Sequence, residues 1–151
     1  MATTRAPRLP PRWFIRGAWV GHRLLYRTTK RGLRRARPGG AMGMLRLRTT
    51  GRRSGEERAA IVGYMEHDGA FVTLAMNGWA AADPAWWLNL RAHPDAWADT
   101  VDGVVRVRAR EALGEERARL WEAIARLDGW GDIAELAQRR PHTAVVVLER
   151  T

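Results

Sequence analysis

Between Met44 and Met76 apolar and polar residues alternate in three short runs separated by turn residues, and few folds accept that pattern. Met44 to Thr50 sets methionine and leucines against Arg46 and Arg48, as a strand with one face in a core and the other in water does. Gly51 to Gly55 reads as a tight loop, Arg58 to Met65 as the partner strand, His67-Asp68-Gly69 as a hairpin turn and Ala70 to Met76 as a third strand. The three form an antiparallel meander.

Downstream, Asp83-Pro84 opens a short helix to about Ala92, with Asp83 as the expected N-cap and Pro84 in the first helical position; Pro94 ends it. Residues 95–100 and 104–110 read as a second hairpin about Val101-Asp102-Gly103. Helical spacing follows over Glu115–Leu127 and again over Ile133–Arg139, and Thr143 to Leu148 is β-branched enough for a central strand. No strand-helix alternation runs through the chain, which favours a small barrel over a doubly wound sheet. An α+β fold is expected, a small barrel of about six mostly antiparallel strands with two or three peripheral helices.

The 151 residues suit one core of ordinary size. The expected division is a basic arm and amphipathic helix over 1–40 and a barrel domain over 41–151. Residues 1–11, with three prolines, read as an arm, Trp13 to Tyr26 as a basic helix rich in aromatics, and Arg31 to Gly43 as a linker. Residues 1–55 hold fifteen Arg or Lys and no acid, whereas the remainder holds eleven basic residues against sixteen acids. Such an end attracts phosphates, polycarboxylates, anionic lipid or nucleic acid. Its arginines exclude a membrane-spanning segment. Two readings of the basic helix stay open. It covers one end of the barrel, or residues 12–37 lie peripherally on an anionic membrane surface, at the inner face of the cell membrane of an otherwise cytoplasmic protein.

Several chemistries are excluded by what is missing. Without cysteine there is no disulfide, thiolate metal site or cysteine nucleophile, and a reducing cytoplasm is expected. The four histidines lack metal-ligand spacing, so no metal is expected. Ser54, the only serine, sits in no nucleophile elbow. There is no recognition-helix pattern, and nucleic acid is not expected as a partner.

The loop Thr50-Gly51-Arg52-Arg53-Ser54-Gly55 with Arg58 concentrates what an anion site needs: glycines for close backbone approach, a hydroxyl, main-chain N–H groups and guanidinium forks. It is neither a Walker loop nor a Rossmann fingerprint. On residues alone it is equally a charged hairpin tip.

At this loop the chain resembles the deazaflavin-dependent nitroreductase family of actinobacterial split β-barrel oxidoreductases. The resemblance runs in order through Leu47 to Gly55, through Phe71-Val72-Thr73-Leu74-Ala75-Met76-Asn77-Gly78, and through Asp83-Pro84-Ala85-Trp86-Trp87-Leu88-Asn89-Leu90-Arg91-Ala92-His93-Pro94, covering roughly residues 44 to 150. It implies the split β-barrel, an FMN-binding-like fold, and coenzyme F420 as cofactor. Thr50, Gly51, Arg52, Arg53, Ser54, Gly55 and Arg58 would then bind the phosphate and oligoglutamate tail. Ala75, Met76, Asn77, Gly78 and Trp79 would line the deazaflavin ring, and Ala85, Trp86, Trp87 and Asn89 would close the site. For Trp86 and Trp87, core packing is the competing role, since adjacent helical residues point about 100° apart. Trp130 is the candidate wall of a substrate pocket, with packing as its competing role.

The resemblance implies hydride transfer from reduced F420 to a small hydrophobic, electron-poor acceptor: a quinone, a nitro compound or a conjugated enone. The chain departs from it where members that reduce such compounds often carry a serine in the ring loop and tyrosines after the long helix. Met76 stands in the first place, and Leu127 to Asp132 contains no tyrosine. No residue is assigned as a catalytic acid, and the oligomeric state, monomer or homodimer, is left open. Two alternatives remain: an FMN-binding split-barrel flavin reductase, and a non-enzymatic basic protein binding membrane or nucleic acid.

Overall fold

The computed structural model describes residues 32–78 and 80–151. The arm, the basic helix over residues 13–26 and Trp79 lie outside the described residues. The described strands are β1 (Gly43–Thr50), β2 (Glu57–His67), β3 (Ala70–Leu74), β4 (Asp95–Thr100), β5 (Gly103–Glu111) and β6 (Val145–Arg150). They close into an antiparallel barrel in the order β1-β2-β3-β6-β5-β4. Helix α1 (Ala85–Ala92) leads into β4, and α2 (Gly114–Ala125) and α3 (Ile133–Arg139) join β5 to β6. This is the α+β split barrel the sequence leads one to expect.

Side-chain direction along each strand explains the two apolar layers. In β1 the buried positions are Gly43, Leu45, Leu47 and Thr49, and the arginines between them are only half-buried. Leu45 and Leu47 meet Phe71, Val146 and Leu148 in the barrel interior. Strands β3 and β6 contribute to both layers: Val72, Leu74, Val145 and Val147 face outward against Leu120 and Ile124 of α2 and Ile133 of α3. That double coverage is why these two strands are apolar on both faces and lack the alternation of β1.

Trp86 and Trp87 both belong to the interior layer, their rings edge to face with centroids 6.5 Å apart. Rings of this size hide about 200 Å² each, roughly 5 kcal/mol of transfer free energy before ordering costs. They plug the barrel's open end and fix α1 there.

Several boundaries differ from the sequence reading. β3 stops at Leu74, so Ala75 and Met76 leave the sheet, and β6 begins at Val145 and runs on to Arg150. Asp83 does not cap α1. The capping position is Pro84, with no side-chain cap, because the Asp83 carboxylate is taken by Arg140 at 2.7 Å. Asp132 does cap α3, accepting from the N–H groups of Ala134 and Glu135. The segment before β1 folds back on it, with main-chain bonds in both directions between Arg34 and Met44.

Candidate functional site

Antiparallel order brings three pieces of chain to one mouth of the barrel. The β1–β2 turn lies there because β1 ends and β2 begins there; β3 points back to the same end, and β4 leaves from it. The residues singled out around 50–58, 75–79 and 85–89 therefore share one end of the fold.

The turn is held from within by four of its N–H groups: Gly51 donates to the Glu56 carbonyl, Gly55 to the Gly51 carbonyl, Glu56 to the Ser54 hydroxyl, and Arg52 to the Asn89 side chain. Those of Arg53 and Ser54 stand outside that set. Gly55 has φ +71°, a left-handed conformation that costs a side-chain-bearing residue and lets the turn close. Thr50 is half-buried and Gly51 buried, whereas Arg52, Arg53, Ser54, Gly55 and Arg58 are exposed. Arg58 is drawn to the Glu56 carboxylate at 3.0 Å, and Glu57 is drawn to Arg48 at 3.1 Å. Arg52 and Arg53 thus carry the turn's uncompensated positive charge.

Asn89 joins this turn to α1. It is 4% exposed, its Oδ1 accepts from both the main-chain N–H and the guanidinium of Arg52 at 3.2 Å, and its Nδ2 donates to the Thr49 hydroxyl at 3.2 Å. A buried amide satisfied in this way fixes where the turn sits. The structure therefore places Asn89 behind the turn, as its support.

The loop after β3 is built differently. Ala75 is buried, Met76 is half-buried against the outer layer, and Asn77 and Gly78 are exposed. Ala80 donates to the Asn77 carbonyl across a turn in which Gly78 has φ +57°. On α1, Ala85 is exposed. Trp130 is buried in the outer layer, near Met42 and Gly63 rather than beside Trp86 and Trp87.

One buried charged residue beside the site was missed by sequence reasoning. The Arg140 side chain is 1% exposed, donates from one Nη to the Ala75 carbonyl at 2.7 Å and from the other to Asp83 at 2.7 Å. It stands just past α3, in a Gln-Arg-Arg-Pro run whose composition reads as surface. No local pattern distinguishes it from its neighbour Arg139, which is exposed and pairs with Glu135.

A cleft of about 400 Å³ lies beside the β2–β3 hairpin and α2, lined by His67, Asp68, Arg110, Glu116 and Arg150 among others. Its charges neutralise one another. Arg110 reaches Glu149 at 2.7 Å and forks onto both oxygens of Glu116, holding the Glu116 carboxyl below the usual carboxylate range. Among the described residues no cluster of three or more His, Asp or Glu could hold a metal ion.

Such a barrel, with guanidinium groups at a turn that meet no carboxylate among the described residues and a helix-closed apolar mouth beside it, is suited to an elongated anion with an apolar head. The family model described as F420H(2)-dependent quinone reductase matches residues 22–150. Curated relatives in two strains of Mycobacterium tuberculosis, each named an F420H(2)-dependent quinone reductase, are 28% identical over 119 residues, covering 75% of this chain and 79% of theirs. Among solved structures, an F420-H2 dependent reductase, FDR-A, is 27% identical with TM-score 0.62, covering 70% of this chain and 93% of that one. A domain-swapped dimer is 26% identical with TM-score 0.64, covering 93% and 100%. The chain belongs to the F420H2-dependent quinone reductase family.

It is thereby a deazaflavin-dependent oxidoreductase, and its cofactor is coenzyme F420. The resemblance read from the sequence and the fold expected from it are both borne out, and the FMN and non-enzymatic alternatives give way to this assignment. The residues suit such a group. Two guanidinium groups and two main-chain N–H groups not used inside the turn match a multiply anionic tail.

Proposed function

We propose that the protein uses F420H2 to reduce a lipid-soluble quinone, with the cofactor's tail at the β1–β2 turn and its ring between the loop over residues 75–79 and α1. Bound F420H2 supplies hydride to the acceptor. Arg52 and Arg53 attract and orient the tail, with Gly51, Ser54 and Gly55 admitting it to the main chain. Arg58, already drawn to Glu56, contributes less. Trp86 and Trp87 keep the barrel mouth apolar beneath the ring and exclude water from it. The observation that carries this reading is the uncompensated Arg52–Arg53 pair anchored through Asn89 to the helix that closes the mouth.

Nitro compounds and enones are further acceptors of the same electron-poor class, and Trp130 would border their pocket only if the outer layer opens near Met42. The fifteen basic residues before Glu56 support a peripheral contact with anionic lipid through residues 12–37 on the cytoplasmic side, where a lipid-soluble quinone partitions. Within that segment Arg35 pairs with Asp102, so the remaining cations carry the attraction. Fluorescence titration of the purified protein with oxidised F420 is the direct test. Saturable binding followed by F420H2 oxidation with a short-chain quinone is expected, and no saturable binding ends the reading. Deleting residues 1–40 should abolish retention on anionic vesicles while cofactor affinity survives.

A further inference from the structure

Burying a guanidinium is costly unless its partners replace water, and Arg140 is buried with its Nε lacking a hydrogen-bond partner among the described residues. Its two partners, the Ala75 carbonyl and the Asp83 carboxylate, are far apart in sequence from Arg140 and flank one stretch of chain, residues 76–82. One planar fork holds both feet of that loop. Ala75 is further fixed by donating its N–H to the Ala144 carbonyl at the start of β6, so the clasp joins β3, β6 and the approach to α1. Between the feet, Met76 donates to the Leu74 carbonyl at the end of β3 and packs against the outer layer, and Ala80 donates to the Asn77 carbonyl within the loop. Among the contacts of the described residues, the Arg140 fork is the one that spans both feet of the loop. Lysine, with a single nitrogen, could not reach both feet in the same geometry.

We propose that Arg140 is the positioning residue of the ring loop, holding residues 76–82 at the span that aligns the cofactor's ring with its acceptor; this rests on the assignment of that loop to the ring. Arg140 touches neither cofactor nor acceptor in this role. It acts through Ala75 and Asp83. Because the β1–β2 turn is anchored separately through Asn89, loosening the clasp should leave tail binding in place.

The test has two arms. In the cofactor-free protein, hydrogen exchange of a peptide spanning residues 76–82 is compared between wild type, Asp83→Ala and Arg140→Met. Asp83 is a third exposed, so water can reach its carboxylate in Arg140→Met, whereas Asp83→Ala strands a buried guanidinium; Arg140→Met therefore keeps the protein folded if Asp83→Ala does not. Exchange in that peptide is expected to rise about ten-fold with the β1–β2 turn unchanged, as a local opening would give. In the second arm, steady-state oxidation of F420H2 by a short-chain quinone is expected to lose on the order of 10- to 100-fold in kcat for Arg140→Met, with the KM for F420H2 held within about three-fold. Arg140→Lys, keeping charge and one contact, should recover part of the loss. An Arg140 that merely supports the fold would lower thermal stability while leaving kcat per binding-competent molecule and the exchange of residues 76–82 unchanged, and that result overturns the proposal. Were the exchange difference present but wild type unable to bind F420, the functional reading would fall and take the ring-positioning role with it, leaving a clasp on a loop of other use.

Discussion

Two regions of the barrel treat arginine in opposite ways. In the cleft bordered by the β2–β3 hairpin and α2, Arg110 is saturated by Glu116 and Glu149. At the mouth, Arg52 and Arg53 are left without a carboxylate while Glu57, which could have answered them, is drawn to Arg48. The cleft is the more obvious concavity, yet an anion entering it would have to displace carboxylates already seated on the guanidinium groups. Field, not hollow, distinguishes the site. Surface ion pairs like those of the cleft contribute little to stability and nothing to recognition, whereas a cation held in place without a partner attracts one.

The contrast breaks most directly at the turn. The double change Arg52→Glu, Arg53→Glu should weaken intact F420 on the order of 100-fold or more, since each charge-assisted contact contributes about 1.5–3 kcal/mol. A tail-less deazaflavin fragment should bind within about two-fold of wild type. Parallel fluorescence titrations read both. Equal loss for both ligands would mean the turn does not hold the tail. A smaller effect is expected from Asn89→Ala, which strands the Thr49 hydroxyl and the Arg52 N–H behind the turn. Removing a buried amide with satisfied partners should lower stability by about 2 kcal/mol in denaturant unfolding and weaken intact F420 roughly ten-fold.

How far this contrast was legible in the sequence follows from the range of the interactions. β1 announces itself because leucines and arginines alternate on a strand with one wet face, and Gly51 to Gly55 because a turn is a local structure. β3 and β6 blur at their ends because both faces are buried and no polar residue marks where pairing stops. Asp83 looked like a helix cap because Asp-Pro is a local signal, and it is overruled by Arg140, distant in sequence. Which arginines are neutralised was illegible for the same reason. Arg110 and Arg52 sit in equally charged neighbourhoods of the chain, and only the closed sheet decides that Glu149 lies beside one while Asn89 lies beside the other.

The cleft offers the complementary test. Arg110→Gln leaves two exposed carboxylates facing each other and should cost about 1 kcal/mol by denaturant midpoint while F420 affinity stays unchanged. A drop in affinity would mean the two regions are coupled and the contrast is false.

The finest probe of the cleft is pH. Because the Arg110 fork lowers the Glu116 pKa in the folded chain, folding takes up fewer protons there than the unfolded chain does. The stabilisation is therefore complete above the unfolded value of 4.5 and disappears as pH falls through the lower folded value. Glu116→Gln should accordingly be less stable than wild type at neutral pH, and the gap in melting temperature should close on acidification. With the Glu116 side chain 38% exposed, solvent screening limits the gap to a few tenths of a kcal/mol. A gap that persists unchanged until the carboxyl is protonated in the folded chain as well would show that Glu116 acts through packing at α2, and the self-neutralised cleft would lose its electrostatic account.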